Sequence, residues 1–210
     1  MQNMLSAKSH GVAFAVISVV FLPATIWAVS SSLSVGITSA SAQDTERSLN
    51  KTESYDNEPL TIVGIKASNR SVKPGEKFSG NNDWLKNASI RVQNSSEKDI
   101  VYIEIDLNFP ETKTSGNEIS YRLKLGHRPG AHDTNPPLLL KANDGAVLNL
   151  DDDRYDQLVK VVEQRHPMSG IRRVDMRLGF VIFSDGTAWS GGLFQRRDPN
   201  NPNRYIPMNN

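Results

Sequence analysis

The feature that most constrains this sequence is a pair of β-forming runs joined by Asp185-Gly186. The run before the pair is I-R-R-V-D-M-R-L-G-F-V-I-F-S, and the run after it is T-A-W-S-G-G-L-F-Q-R-R. Asp-Gly between such runs is a strong hairpin signal, because a type I′ loop needs positive φ at both central residues. The sequence therefore predicts an antiparallel hairpin that sets Phe183 opposite Ala188 and Ile182 opposite Trp189.

Period-two alternation divides the residues of this hairpin between two faces. One face is apolar throughout, and we expect it to be core: its residues are Val174, Met176, Leu178, Phe180, Ile182 and Trp189. The other face starts with arginine and aspartate and becomes apolar at Val181 and Phe183. We expect Tyr205 and Ile206 of the C-terminal tail to cover these two residues. Left uncovered, they would form a surface for a partner or a second copy.

Composition excludes several classes of protein. The chain has 210 residues, a formal net charge of +1 and no cysteine. Disulfides, thiolate nucleophiles and cysteine-based zinc sites are therefore excluded, and the charge gives no indication of a nucleic-acid partner. We expect no cofactor and no nucleic acid.

Residues 1–42 are predicted to be a signal peptide or an N-terminal membrane anchor. Lys8 precedes an apolar run at 11–29, and Ala40-Ser41-Ala42 matches the A-x-A pattern that signal peptidase cleaves. We expect cleavage after Ala42, although the 19-residue run is also long enough for an uncleaved anchor. Either way Lys8 stays inside, so the remaining chain is exported and periplasmic or extracellular. A buried helix of a cytosolic protein is the remaining alternative.

The rest of the chain is predicted to form one domain. Residues 43–59 are polar and indicate a flexible linker, 60–197 carry the strand patterns, and 198–210 form a C-terminal tail. Apolar alternation predicts strands near 60–67, with a bulge at Gly64, and near 88–94, 100–109, 119–125 and 146–150. In the third of these, Tyr102, Glu104 and Asp106 are expected to face water.

One helix is predicted at about 153–165. Its apolar residues recur at i, i+3, i+4 and i+7, and they are Tyr155, Leu158, Val159 and Val162. The acidic run at 151–153 favours the N-terminal end of a helix. About seven strands and one crossover helix predict a mainly β, antiparallel β-sandwich.

Two strings resemble known bacterial proteins. A-S-I-R-V-Q-N-S-S-E-K-D-I-V-Y-I-E-I-D-L, residues 88–107, resembles the paired strands of bacterial immunoglobulin-like sandwich domains. The string D-G-T-A-W-S-G-G-L-F-Q-R-R-D-P-N-N-P-N-R-Y-I-P, from residue 185, resembles the ends of secreted bacterial proteins without an assigned activity. The resemblance implies an immunoglobulin-like fold and carries no catalytic residues with it.

Metal sites are conceivable at two places. His127, His132 and Asp133 lie in a Gly/Pro-rich loop, but zinc-binding spacings such as H-E-x-x-H are absent. The acidic run at 151–153 could attract calcium, but it lacks the EF-hand pattern, and capping of the helix explains the same residues. We therefore expect no metal.

Sequence motifs do not indicate a nucleophilic enzyme, because G-x-S-x-G is absent. Glu104 and Asp106 are paired carboxylates that could act on a sugar, but alternating carboxylates are common on a solvated strand face. We expect a protein that is not an enzyme.

A surface for a ligand or partner is predicted around Trp84, Arg173, Arg177, Val181 and Phe183. The arginines of this region suit an anionic partner, or they form cross-strand ion pairs with neighbouring aspartates. Trp84 is the candidate for stacking on a sugar. The predicted function is a non-catalytic exported binding or scaffold domain of the bacterial cell envelope, whose partner is an envelope protein or polysaccharide. The alternative is a carbohydrate-binding or carbohydrate-active module.

Overall fold

Twelve strands and one α-helix make up the part of the chain that the structure, a computed structural model, describes: residues 45–128 and 136–208. The strands are β1 (Thr45–Lys51), β2 (Leu60–Ala67), β3 (Arg70–Val72), β4 (Lys77–Gly80), β5 (Ser89–Asn94), β6 (Ile100–Thr114), β7 (Asn117–Gly126), β8 (Gly145–Asn149), β9 (Arg173–Phe183), β10 (Thr187–Ser190), β11 (Leu193–Asp198) and β12 (Asn201–Pro207). The helix is α1 (Asp152–Val162), and a 3₁₀ turn follows at Met168–Gly170. The mainly β prediction is confirmed, with more strands than the seven expected.

The strands form two sheets around one hydrophobic core. The smaller sheet has the order β3-β2-β5-β8. The larger sheet has eight strands and is centred on β9, which pairs with β6, and through it β7, along one edge. The other edge of β9 is divided between two neighbours. Its start pairs with β1, which continues to β4, and its end pairs with β10, which continues to β11 and β12.

The two strands of the immunoglobulin-like string do not pair with each other. β5 pairs with β2 and β8 in the smaller sheet, whereas β6 pairs with β7 and β9 in the larger one. The short segment between them crosses from one sheet to the other. The predicted strand at 60–67 and its bulge are confirmed, because the β2–β5 register shifts between Ile62 and Gly64.

A β-bulge at Gly179 reverses the faces of the last third of β9. Phe180 pairs with Glu104 and Leu178 pairs with Ile105, so Gly179 is an extra residue on its strand. Beyond it, Val181 and Phe183 point into the core, and Phe180 points to the outer side of the sheet with Ile182. The prediction that Val181 and Phe183 lie on the outer face was therefore wrong.

The Asp185-Gly186 loop is not of type I′. Only Gly186 has positive φ, at 82°, and its N–H donates to the carbonyl of Phe183 at 3.0 Å. Three residues connect the strands instead of two, and Trp189 lies opposite Val181. Type I′ loops occur where two-residue connections have positive φ at both positions: Ser68-Asn69, Ser115-Gly116 and Gly191-Gly192.

The predicted linker at 43–59 contains a strand of the larger sheet. β1 pairs antiparallel with β4 and parallel with β9. Its buried positions are Leu49 and Arg47, and the guanidinium of Arg47 donates to the carbonyls of Gly80, Asn81, Ser169 and Ile171. Burial lowers the pKa of Arg47. The segment was predicted to be a linker because arginine is a polar residue. Here the arginine is buried, with main-chain oxygens as its hydrogen-bond partners.

The predicted helix is confirmed as α1, which connects β8 of the smaller sheet to β9 of the larger one. Asp151 caps it by accepting a hydrogen bond from the N–H of Arg154 at 3.0 Å. Leu158 and Val162 are fully buried, and Tyr155 donates to Asp83 at 3.1 Å. Burial, followed by the nearby Asp83, raises the pKa of Tyr155.

Candidate functional site

The two predicted surface arginines lie on the outer face of the larger sheet. Arg173 forms a two-pronged ion pair with Asp175, with distances of 2.7 and 2.8 Å. Arg177 donates to Asp106 at 3.1 Å and approaches Glu53 at 3.4 Å. Burial lowers the pKa of Arg177, but the two carboxylates outweigh burial and raise it. Both arginines therefore have carboxylate partners within the chain.

Glu104 and Asp106 are buried, although alternation predicted a wetted face. They are 6% and 4% exposed because Arg122 and Arg177 lie across them. Tyr102 donates to the second oxygen of Glu104 at 2.9 Å. The prediction that these residues face water was wrong, because long side chains of neighbouring strands shield the carboxylates.

Three of the five residues predicted for a ligand surface lie in the interior. Trp84, Val181 and Phe183 are at most 1% exposed. Trp84 donates to the carbonyl of Ile171 at 3.1 Å and packs edge-to-face against Phe78. These three side chains are part of the core, so the expectation that they form a surface is corrected.

The C-terminal strands reach the outer face of β9. The ring of Tyr205 packs edge-to-face on Phe180, with 5.2 Å between the ring centroids. Ile182, Ala188 and Tyr102 complete this small outer cluster. The tail thus contacts the outer apolar residues of β9, and the bulge makes those residues Phe180 and Ile182 instead of Val181 and Phe183.

An apolar row crosses the strands β9, β10 and β11 of the larger sheet, continues to Met208 after the end of β12, and ends at the surface. Val181 lies opposite Trp189, and Trp189 lies opposite Phe194. The N–H of Met208 donates to the carbonyl of Phe194 at 3.0 Å, which places Met208 next in the row. Val181 and Trp189 are fully buried, whereas Phe194 is 37% and Met208 is 44% exposed. We call residues 193–208 the C-terminal extension.

An open groove of about 730 Å³ lies beside the extension, at the turn that joins β9 to β10. We call it the turn groove. Its apolar lining includes Val101, Leu138 and Phe183, and its arginines are Arg196 and Arg197. Among the described residues that line it, Asp185 is the only carboxylate. Lys98 binds this carboxylate at 2.7 Å, so the arginines dominate the charge of the groove.

Neither conceivable metal site gains support from the described residues. They contain no group of three or more His, Asp or Glu side chains that could hold a metal ion. Asp151 caps α1, as the capping interpretation predicted. His127 lines the turn groove, and His132 and Asp133 lie outside the described residues.

Sequence reasoning missed Phe194 and Met208 as surface residues. The available signal was Gly191-Gly192, which a hairpin search should have treated as a two-residue loop. That loop makes Leu193–Asp198 a separate strand, and its partner then follows after the turn at 199–200. The interpretation of one long strand through Gly191-Gly192 concealed the extension.

Comparison with known proteins gave no match to a family model, to a curated protein or to a solved structure. In the described part of the chain, helices are too short and too polar to cross a membrane.

Proposed function

We propose that this chain is a non-catalytic, exported binding or scaffold domain of the bacterial cell envelope, and that its C-terminal extension docks a partner protein. The observation that carries the proposal is the apolar row that starts in the core and ends exposed. Phe194 and Met208 continue the buried face of Val181 and Trp189 beyond the part that the domain covers. An apolar face that ends in solvent is typical of an interaction surface.

The residue types of the extension support a protein partner. Phenylalanine, methionine and arginine are enriched at protein interfaces, and the extension combines Phe194 and Met208 with three arginines. Asp198 is the only acidic residue of the sequence between 193 and 208. The complementary surface is therefore apolar at its centre and acidic at its rim.

Export is supported by the signal sequence and by the position of β1. The proposed cleavage after Ala42 leaves only Gln43 and Asp44 before β1 begins at Thr45. The processed chain would thus begin immediately before the domain.

We also infer an immunoglobulin-like sandwich, because consecutive strands that cross between sheets, as β5 and β6 do, occur in that fold.

The carbohydrate alternative depended on an exposed tryptophan. Trp84 is fully buried and cannot stack on a sugar ring. Glu104 and Asp106 are held by arginines, and Glu104 also by Tyr102. A specific observation for a sugar site is therefore lacking in the described residues, and the protein-docking proposal is preferred.

Site-specific photo-crosslinking in the producing cells tests the proposal. Phe194 is replaced by p-benzoyl-phenylalanine in the full chain, and irradiation is expected to give an adduct with an envelope protein. Val147 is the matched control position, because it is similarly apolar and 42% exposed but lies on the smaller sheet. Mass spectrometry identifies the adduct.

Three results would contradict the docking surface. No adduct at position 194, or the same adduct from positions 194 and 147, would show that the extension has no specific partner. An adduct of twice the chain mass would identify a second copy in place of a different protein.

A further inference from the structure

We propose that the turn groove binds a carboxylate of the docked partner and that Arg197 is the residue that holds it. This inference rests on the proposed function, because it names the chemistry that the partner presents beside the extension. The turn groove and the apolar row share the strand β11, on which Arg196 lies on the face of Phe194 and Arg197 lies on the opposite face with Tyr205.

The first argument is an unsatisfied donor. The Nε atom of Arg197 is shielded from water and has no hydrogen-bond acceptor in the described part of the chain. Tyr205 lies opposite Arg197 on the neighbouring strand, and its hydroxyl is likewise shielded from water and without a hydrogen-bond partner in the described part of the chain. Shielded polar groups of folded proteins nearly always have partners, and a guanidinium is matched best by a two-pronged carboxylate.

The second argument is the charge around the site. Arg196 and Arg197 both line the turn groove. Asp185, the carboxylate that lines it with them, is already bound by Lys98 and by the N–H and hydroxyl of Thr187. The described lining of the groove therefore combines two arginines with one carboxylate that already has partners, which favours an external anion there.

The third argument is the apolar wall. The partly exposed residues Val101 and Leu138 line the same groove, whose volume of about 730 Å³ falls within the usual range for ligand pockets. A bare inorganic anion would leave this wall without a contact. The ligand that fits both features is a carboxylate next to an apolar group, such as an acidic residue beside an aromatic or aliphatic one in the partner.

The test is a titration with phenylacetate, which combines a carboxylate with one aromatic ring. The chain is labelled with ¹⁵N at arginine, and the Nε–H signal of Arg197 is assigned by its disappearance in Arg197→Lys. Phenylacetate is expected to shift this signal saturably, and the neutral phenylacetamide is expected not to. In Arg197→Lys, binding is followed at the Nε–H signal of Arg196, which lines the same groove. This variant should bind about tenfold more weakly or worse, because lysine lacks the two-pronged geometry. Arg91→Lys, an exposed position on the smaller sheet, should leave binding unchanged.

An unmoved Arg197 signal would overturn the inference, and so would equal shifts with phenylacetamide or with chloride at the same ionic strength. Binding that appears only in Asp133→Asn would identify the chain's own Asp133 as the occupant and would also overturn it. Failure of the crosslink at position 194 with phenylacetate binding intact would reject the docking surface alone. A specific crosslink without phenylacetate binding would reject the carboxylate site alone.

Discussion

Trp189 lies directly opposite Val181, one residue away from the partner that a two-residue Asp-Gly loop would give it. The extra loop residue shifts the register of β10 against β9 by one residue. The bulge at Gly179 adds one residue to β9, so the residues after it exchange faces of the sheet. The two shifts cancel for Trp189, which is buried on the same face as Met176 and Leu178, as the alternation predicted. They do not cancel for Phe180 and Ile182, which exchange faces with Val181 and Phe183.

Asp185 should make the stability of the fold sensitive to acid. Although burial raises its pKa, hydrogen bonds from Lys98 and Thr187 lower it to about 2 from an ordinary value of 3.8. The ionised carboxylate therefore stabilises the fold above about pH 4, and this contribution is lost as pH falls towards 2. We expect the melting temperature of the wild-type chain to fall more steeply over this interval than that of Asp185→Asn, as measured by circular dichroism. Parallel curves would contradict the Lys98 contact.

Gly192 and Gly116 form a matched pair for testing the Tyr55 contact. Both have positive φ at the second position of a type I′ loop, so alanine is strained at each. A Cβ at Gly192 would lie 2.6 Å from the ring of Tyr55, whereas one at Gly116 would have nothing within 4 Å. Gly192→Ala should therefore cost about 1 kcal/mol or more beyond Gly116→Ala in urea unfolding. Equal losses would mean that Tyr55 does not pack there.

Arg47 should be one of the most sensitive charged positions in the chain. Arg47→Met leaves the buried carbonyls of Gly80 and Ile171 and the partly buried ones of Asn81 and Ser169 without their donor. We expect the free energy of unfolding to fall by at least about 2 kcal/mol. Arg91→Met is the control, because Arg91 is exposed and such changes usually stay within about 0.5 kcal/mol. Chemical denaturation measures both. A loss at position 47 no larger than the control would place Arg47 outside the core.

Deletion of residues 199–210 tests what the last strand contributes. The deletion removes β12 and with it the contact between Tyr205 and Phe180, and it leaves β11 as an unpaired edge. We expect a lower melting temperature or self-association, measured by thermal denaturation and sedimentation velocity. An unchanged melting temperature together with an unchanged sedimentation coefficient would reject this role.

Under the proposed export, the N-terminus of the processed chain should be Gln43, because Ala40 and Ala42 match the small-residue positions of a cleavage site. Intact mass measurement of the protein recovered outside the cytoplasm checks this. Recovery of the full-length mass in the membrane fraction would show that residues 1–42 remain as an anchor.

Strands with regular alternation could be predicted from the sequence, and irregular connections could not. β5, α1 and the start of β9 follow from period-two or helical spacing, and the bulge near Gly64 from a change of parity. Gly179 gives no such signal, because the four residues that follow it, 180–183, are all apolar and show no change of parity. β1 was missed because one of its two inward positions is arginine, which is buried only through carbonyl groups from distant segments.

The candidate site was harder to predict than the fold. Arg173 and Arg177 were placed correctly on a sheet face, but their aspartate and glutamate partners become evident only once the strands are in register. Trp84 follows the polar residues 81–83, which gave no indication of burial, and the carbonyl that accepts its N–H belongs to the distant Ile171. Arg197 and Tyr205 become neighbours only through the β11–β12 pairing, which the sequence does not specify across two prolines.

The divided edge of β9 has a consequence for the order in which the sheet assembles. Asn50 and Asp175 hydrogen-bond across β1 and β9 although they are 125 residues apart along the chain. Contacts of such high sequence separation slow folding, because loop-closure entropy is lost before they form. Under the proposed export, the chain emerges from its N-terminus and delivers β1 long before β9. We therefore expect translocation to set the pace of folding, since arrest before residue 173 would leave β1 without its parallel partner strand β9.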